Sequence, residues 1–529
     1  MSPWPLVEVL RADVAIIGGG LGACAAALAA ARLGRRVILT EETKWVGGQL
    51  TNQAVPPDEH PWIEQHGATA SYRALRDGIR AYYRGNTPLT AEARARAALN
   101  PGNGWVSRLC HDPRIAVAVL HELMIPHQLG GRLFIMHPHR PIEAWTHGDR
   151  ITGVVVRGRE SGRDSLIEAP YFIDATPYGE LLELAGVEHV LGAEARSETG
   201  EPHAADTADP REQQAITVCF AIEHLEGEDH TIDQPRQYEL WRELRPVGWP
   251  GPLLSWTTVK PETLEPLTRY LFEAEDDHPW WRFRRILDRE NFEPGFARSD
   301  ITVVNWPQND YWFGPIVGVD PAEQARNLEA ARQLSLSLLY WMQTEAPRPD
   351  GGVGYPGLRL RGDVVGGTPD GLAQAPYVRE SRRIRAEFTV LEQHIAHPLR
   401  TDGPELFHDT VGIGCYRIDL HPRVSGAGYL DTGCWPFQIP LGAMIPVRVD
   451  NLLPGGKNLG VTHITNGAYR LHPVEWNIGE VAGLLAAFCL EHRVLPRVVR
   501  NDPAILETFQ GLLRREGVEL AWPHPLTPL

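Results

Sequence analysis

Residues 13–34 read DVAIIGGGLGACAAALAAARLG, and this stretch decides the fold. Asp13 to Ile17 is a short β-branched run, GGGLGA follows as Gly18-x-Gly20-x-x-Ala23, and an alanine-rich segment runs on to Leu33 before Gly34. That order is strand, glycine turn, helix. The turn needs backbone without Cβ, and it sets Gly18, Gly20, Leu21, Gly22 and Ala23 where N–H groups at a helix start can meet a pyrophosphate. A second strand, Val37 to Thr40, delivers Glu41, whose carboxylate can accept from both hydroxyls of an adenosine ribose and would repel a phosphorylated one. The motif reads as a dinucleotide-binding unit of the α/β class, with NAD and FAD both open.

The next residues separate the two. Trp45-Val46-Gly47-Gly48-Gln49-Leu50-Thr51 sets Gly47, Gly48 and Gln49 where the ribityl chain and second phosphate of FAD would run, an element that NAD-binding folds do not need. Three further segments stand out: IDATPYGE at 173–180, YVRESRRI at 377–384 and NLLPGGKNLGVTHITNGAYRLHPVEWNIGEVAG at 451–483. On these residues, over most of its length, the chain resembles the bacterial FAD-dependent oxidoreductases of the glutathione-reductase-like (GR2-type) fold. The resemblance implies FAD as cofactor. It also implies an α/β (α+β overall) architecture, in which a Rossmann-like FAD-binding domain of glutathione-reductase type carries a large inserted substrate or cap domain. Cofactor contacts are then expected from Asp174, Ala175 and Thr176, from Gly455, Gly456 and Asn458, and from Asn477 and Ile478. The last two would open a helix whose N-terminus faces the flavin pyrimidine.

The expected division is 1–195 for the first part of the FAD-binding domain, 196–450 for the cap and 451–529 for the returning part. The polar run Gly192 to Gln214 reads as an exposed loop at the first boundary. Asp320-Pro321-Ala322-Glu323 opens a helix to about Thr344. A second long helix is expected through Arg379 to Arg385, where five charges in seven residues read either as an anion clamp or as a solvated face.

The 529 residues are 43% hydrophobic and 22% charged, a globular composition. A net charge of −16 argues against nucleic acid and anionic membrane surfaces as partners. Met1 to Ala12 lack the apolar core of a signal peptide, and six scattered cysteines read as reduced thiols of a cytoplasmic protein. No cysteine pair follows the glycine motif, which excludes dithiol chemistry, and no second glycine motif serves NAD(P)H, so electrons enter from a substrate.

In CYRIDLH (415–421), Arg417, Asp419 and His421 share one face of a strand, while Tyr416, Ile418 and Leu420 share the other. His421 is the first candidate base, with Arg417 to hold the substrate. His463, in the loop between the returning strand and the flavin-facing helix, is the second. Trp306, Tyr311, Trp312 and Trp435 stand in loop-like stretches, either exposed for stacking or packed beneath the loops. No metal is expected, because His121-Glu122 lacks a second helical His and His137-Pro138-His139 points its rings awkwardly for one ion.

The expected partners are a small-molecule substrate and an electron acceptor. The expected activity is hydride removal from a polyol, sugar derivative or amine to FAD, which oxygen or another acceptor reoxidises. Alternatives are a monooxygenase with transient NAD(P)H binding and a non-catalytic flavin-binding protein.

Overall fold

Val14–Ile17 and Val37–Thr40 are buried throughout, as strands covered on both faces must be. They form the middle of a five-stranded parallel sheet ordered Leu452–Pro454, Tyr171–Asp174, Val14–Ile17, Val37–Thr40, Leu133–Met136. Val14 stands opposite both Val37 and Tyr171, and Leu452 opposite Phe172, so chain from near both ends shares one sheet. The computed structural model describes residues 8–273, 277–426, 428–523 and 526–529. Part of the N-terminal stretch read for a signal sequence, residues 1–7, lies outside the described residues.

The helix Leu21–Arg32 has no polar face, because it is wedged between this sheet and the helix His472–His492, and Leu21 to Ala31 are all buried. Only small residues allow so close an approach. A Cβ on Gly22 would stand 1.9 Å from the Gly455 carbonyl oxygen, and one on Gly479 would stand 1.9 Å from that of Gly22. A second layer, ordered Glu8–Arg11, Asp164–Glu168, Arg150–Gly158, His139–His147, packs Val154, Val156 and Ile167 against Ile17 and Phe172.

The middle of the chain builds separate small sheets, among them Asp310–Tyr311, Ile216–Thr217, Tyr377–Val378 in that order, and a hairpin of Ile418–Leu420 with Leu430–Thr432. Their core is rich in tryptophan. Trp306, Tyr311, Trp312 and Trp435 are all buried, so the exposed-aromatic reading fails and the packed one holds. The helix Pro321–Thr344 begins as the sequence indicates, with the Asp320 carboxylate accepting from the N–H groups of Ala322 and Glu323, and it buries Leu334, Leu338 and Met342 in the same core.

Three expectations are corrected. Arg379 to Arg383 is not a helix but a buried crossing between the short strands Tyr377–Val378 and Arg383–Ile384, and Arg385 beyond it is exposed. Its charges pair across the fold: Arg379 with Asp310 at 3.0 Å, and Arg383 with Glu194 at 3.0 Å and with Glu380. Paired burial overrides the usual preference of charge for water. The run Gly192 to Gln214 is not simply exposed, because Ala193, Ala195, Glu201, Gln213 and Gln214 are buried, and Glu201 accepts from the Thr462 hydroxyl and the Glu392 N–H. The helix expected to open near Asn477 starts at His472, with Pro473 in its first turn.

Among the described residues no helix is long and apolar enough to cross a membrane, and no three His, Cys, Asp or Glu side chains gather as metal ligands. All six cysteines are free and buried.

Candidate active site

The glycine turn, the Gly48-Gln49 loop, the end of the strand Tyr171–Asp174 and the Gly455-Gly456 turn meet along one groove. Gly18, Gly20, Glu41, Gly48, Gln49, Ala175, Thr176, Gly455, Gly456 and Asn458 all line it. Gly18 has φ +92°, and a Cβ there would stand 2.5 Å from the Ala175 and Thr176 backbone. Gly20 is more open, its added Cβ meeting only Glu475 Oε1 at 3.1 Å and the Ala175 carbonyl oxygen at 3.3 Å.

Glu41 sits on this lining. One carboxylate oxygen accepts from the Gly19 N–H at 3.0 Å, and the other from the Thr43 N–H at 2.7 Å and the Asn52 amide at 3.2 Å. Burial pushes its carboxyl up to about 7, against the pull of those hydrogen bonds.

Other expected contacts do not face the groove. Leu21 and Ala23 have their side chains in the core, and the Gly22 N–H donates to Glu475 Oε1 at 3.3 Å. Gly47 shapes the turn at φ +111°, its N–H donating to the Gly19 carbonyl at 2.8 Å. The Asp174 carboxylate is consumed by the Thr176 N–H at 3.0 Å and the Thr176 hydroxyl at 2.7 Å, and burial pushes its carboxyl up to about 6. Asn477 lies beyond the first turn of its helix, against Gly412, and Ile478 is in the core. The residue this helix offers to the groove is Glu475, two positions earlier. Glu475 accepts from the Gly22 N–H and from the Gln49 amide. Lys457 also lines the groove, and burial pushes its ammonium down.

The donor and acceptor set fits FAD. Among the described residues Gln49 Oε1, Asn52 Oδ1, Gln53 Oε1 and Gln374 Nε2 are buried on the groove wall without hydrogen-bond partners, the pattern left by a polar occupant.

A second cavity, of about 580 Å³, is lined by Asp58, Arg284, Arg379, Tyr416, Arg417, Asp419, His421 and Asp431, with Trp105, Trp280 and Trp306. Arg470 joins the two linings: its carbonyl accepts from Gln49 of the groove at 3.0 Å, and its guanidinium donates to Asp419 of the cavity at 3.0 Å. On the cavity wall His421 Nδ1 lies 2.6 Å from the buried Asp310 Oδ2, while Nε2 lies 3.5 Å from Asp419 Oδ2. Burial works to raise the Asp310 carboxyl, but Arg379 and His421 outweigh it and hold it below the carboxylate range. Asp419 is likewise held low by His421 and Arg470. Arg417, one-third exposed, pairs with Asp431.

His463 is at neither place. Its Nδ1 lies 2.9 Å from Glu380 Oε2 and its ring is buried, so the second candidate base belongs to the Glu380–Arg383 network. The sequence pattern left Asp310, Asp58 and Arg284 unmarked. Each stands alone in its own segment, and only the fold brings it to His421.

The family model described as FAD dependent oxidoreductase matches residues 13–513. Among solved structures, the chain is similar to a myxobacterial chondrochloren halogenase, CndH, at 13% identity over 96% of this chain and 80% of that one, with a TM-score of 0.32. It is similar to the OxyS anhydrotetracycline hydroxylase of Streptomyces rimosus at 12% identity over 96% and 66%, with a TM-score of 0.33. A third likeness, to the L-proline dehydrogenase of P. horikoshii, has 19% identity and a TM-score of 0.18; it covers 35% of this chain and only 24% of that enzyme's length. These are distant likenesses, and no curated protein matches the chain. The assignment rests on the match along nearly the whole sequence: the chain belongs to the FAD dependent oxidoreductase family and is an FAD-dependent enzyme.

Proposed function

We propose that the protein removes a hydride equivalent from a small polyol, sugar derivative or amine held in the His421 cavity, and that oxygen or another acceptor later takes the electrons. The observation that carries this reading is His421 itself, set between two carboxylates on a cavity that Arg470 links to the groove. Bound in the groove, FAD supplies the two-electron acceptor.

The chain's own task is then the proton. Asp310 accepts the Nδ1 proton of His421, which leaves Nε2 as the basic nitrogen. When the substrate O–H or N–H bond breaks, Nε2 takes the proton, with the Asp419 carboxylate 3.5 Å from it. Arg284 and Arg379, both on the wall, can hold the substrate oxygen, and Arg417 stands nearer the exposed rim.

The same reading assigns residues 1–195 and 451–529 to an FAD-binding part of glutathione-reductase type and 196–450 to a cap. In support, strands from the first and last of these share one sheet.

The test is anaerobic flavin bleaching by candidate substrates. His421→Asn should slow it by about 10²–10⁴ with FAD content unchanged. Bleaching at the wild-type rate in that variant would sink the assignment. NADH and NADPH should bleach the flavin far more slowly than the substrate, and fast bleaching by either would favour a monooxygenase.

A further inference from the structure

The His421 cavity carries more information than the position of its base. Among the described residues seven donors on its wall are buried without a hydrogen-bond partner: the indole N–H groups of Trp105, Trp280 and Trp306, Asn305 Nδ2, Arg284 Nε, Arg379 Nε and the Tyr429 hydroxyl. Donors left bare in an interior call for acceptors from whatever fills the space. Six of the seven are N–H groups and cannot accept, so the occupant must present oxygens at several points.

The buried charges on the same wall are already matched, while Glu262, which also lines the cavity, is exposed. Arg284 lies 3.1 Å from Asp58, Arg379 3.0 Å from Asp310, and Arg470 3.0 Å from Asp419, while Arg417 pairs with Asp431. An ammonium or carboxylate on the ligand would have to break one of these pairs in a buried site. A neutral hydroxyl can accept from a guanidinium N–H and donate to the carboxylate without disturbing either. The third feature is aromatic. The Arg269 guanidinium lies over the Trp105 ring at 5.6 Å and the Trp280 ring at 5.8 Å, and Trp306 stands 5.3 Å from Trp280, so three indoles cluster on this wall. Flat apolar faces beside many donors suit a ring that is apolar on its C–H faces and polar around its edge.

We propose that this cavity binds a neutral sugar ring, in preference to an amine or an acidic sugar. The proposal rests on the functional reading above in taking the cavity as the substrate site, and narrows it to one class.

The test is titration of the oxidised holoenzyme, followed by calorimetry and tryptophan fluorescence, with D-glucose, D-galactose, D-xylose and methyl β-D-glucopyranoside. D-glucuronate, D-glucosamine and benzylamine serve as charged comparisons. At least one neutral sugar should bind below about 100 mM, and the charged probes at least about tenfold more weakly. Trp105→Phe keeps a ring and deletes one donor, and should weaken sugar binding about fivefold to tenfold. Trp105 is only half-buried, which spares the fold; Tyr429→Phe is the second variant, with the same expected direction. The proposal is overturned if no neutral sugar of the set binds, if a charged probe binds as tightly as the best sugar, or if neither variant weakens binding. Flavin bleaching separates the two readings. An amine that bleaches the flavin through His421 overturns the sugar inference and leaves the oxidoreductase reading. A sugar that binds and responds to Trp105→Phe but bleaches nothing does the reverse.

Discussion

The groove and the cavity meet at Arg470, yet they are built from opposite materials. The groove is made of glycine backbone, helix N–H groups and uncharged amides, with carboxylates such as Glu41 already hydrogen-bonded to its own turns. The cavity is made of arginine–aspartate pairs, a histidine and indoles. The difference follows from what each must do. A pyrophosphate is met by N–H dipoles brought within contact distance, which requires missing side chains. A proton must be taken at one atom, which requires titratable groups whose protonation their neighbours control.

The sharpest test of this contrast lies on the groove. Gly20→Leu should abolish FAD retention while leaving the fold intact, since its Cβ meets only a flexible carboxylate tip at 3.1 Å and a carbonyl oxygen at 3.3 Å. Gly22→Ala should instead prevent folding, because its Cβ would stand 1.9 Å from a backbone oxygen. Flavin absorbance per protein and far-UV circular dichroism separate the two outcomes.

On the cavity side, Asp310→Asn should leave Arg379 buried without its counter-charge and His421 without its orienting acceptor. A loss of about 3–5 kcal/mol of stability is expected from the first effect, read by denaturant unfolding, with FAD content retained in the folded protein. Loss of FAD instead would mean that the two regions are not separable. A milder change on the groove, Glu41→Ala, should weaken FAD binding by about 1.5–3 kcal/mol and leave sugar binding in the cavity unchanged.

The smallest effect expected is a pH dependence. Burial raises the Glu41 carboxyl from its ordinary 4.5 to about 7. A carboxyl raised on folding stabilises the folded state below its unfolded value, and that contribution is lost as pH rises through the folded value. In the FAD-free protein, melting temperature should therefore fall by a few degrees between about pH 4.5 and pH 7, and Glu41→Gln should flatten that slope. An unchanged slope in the variant would place the titration elsewhere.

Much of the groove was legible because its logic is short-range. Strand, glycine turn, helix and Glu41 follow one another within 29 residues, each dictated by neighbours a few positions away. The helix Pro321–Thr344 was legible for the same reason, since Asp320 caps it two and three residues ahead. Asn477 misled because its place at the helix start was carried over from the resemblance and not read from this chain's own first turn. His472 begins that helix without a side-chain cap to announce it.

The cavity was legible only in part. Alternation in CYRIDLH marked Arg417, Asp419 and His421 as one face, and all three line the cavity, but the strand spans only Ile418–Leu420 and Tyr416, expected on the opposite face, lines the cavity too. Nothing local could say that Asp310, 111 residues away, orients His421, or that Arg379, Glu380 and Arg383 are buried in pairs and not solvated. The sequence by itself determined the dinucleotide turn, the acidic residue after it and the polar face holding His421, because each depends on spacing along the chain. The tertiary structure alone decided which histidine reaches the cavity and which carboxylate neutralises each buried guanidinium. A buried charge is tolerated only beside its partner, and which partner reaches it is set by how distant strands pack.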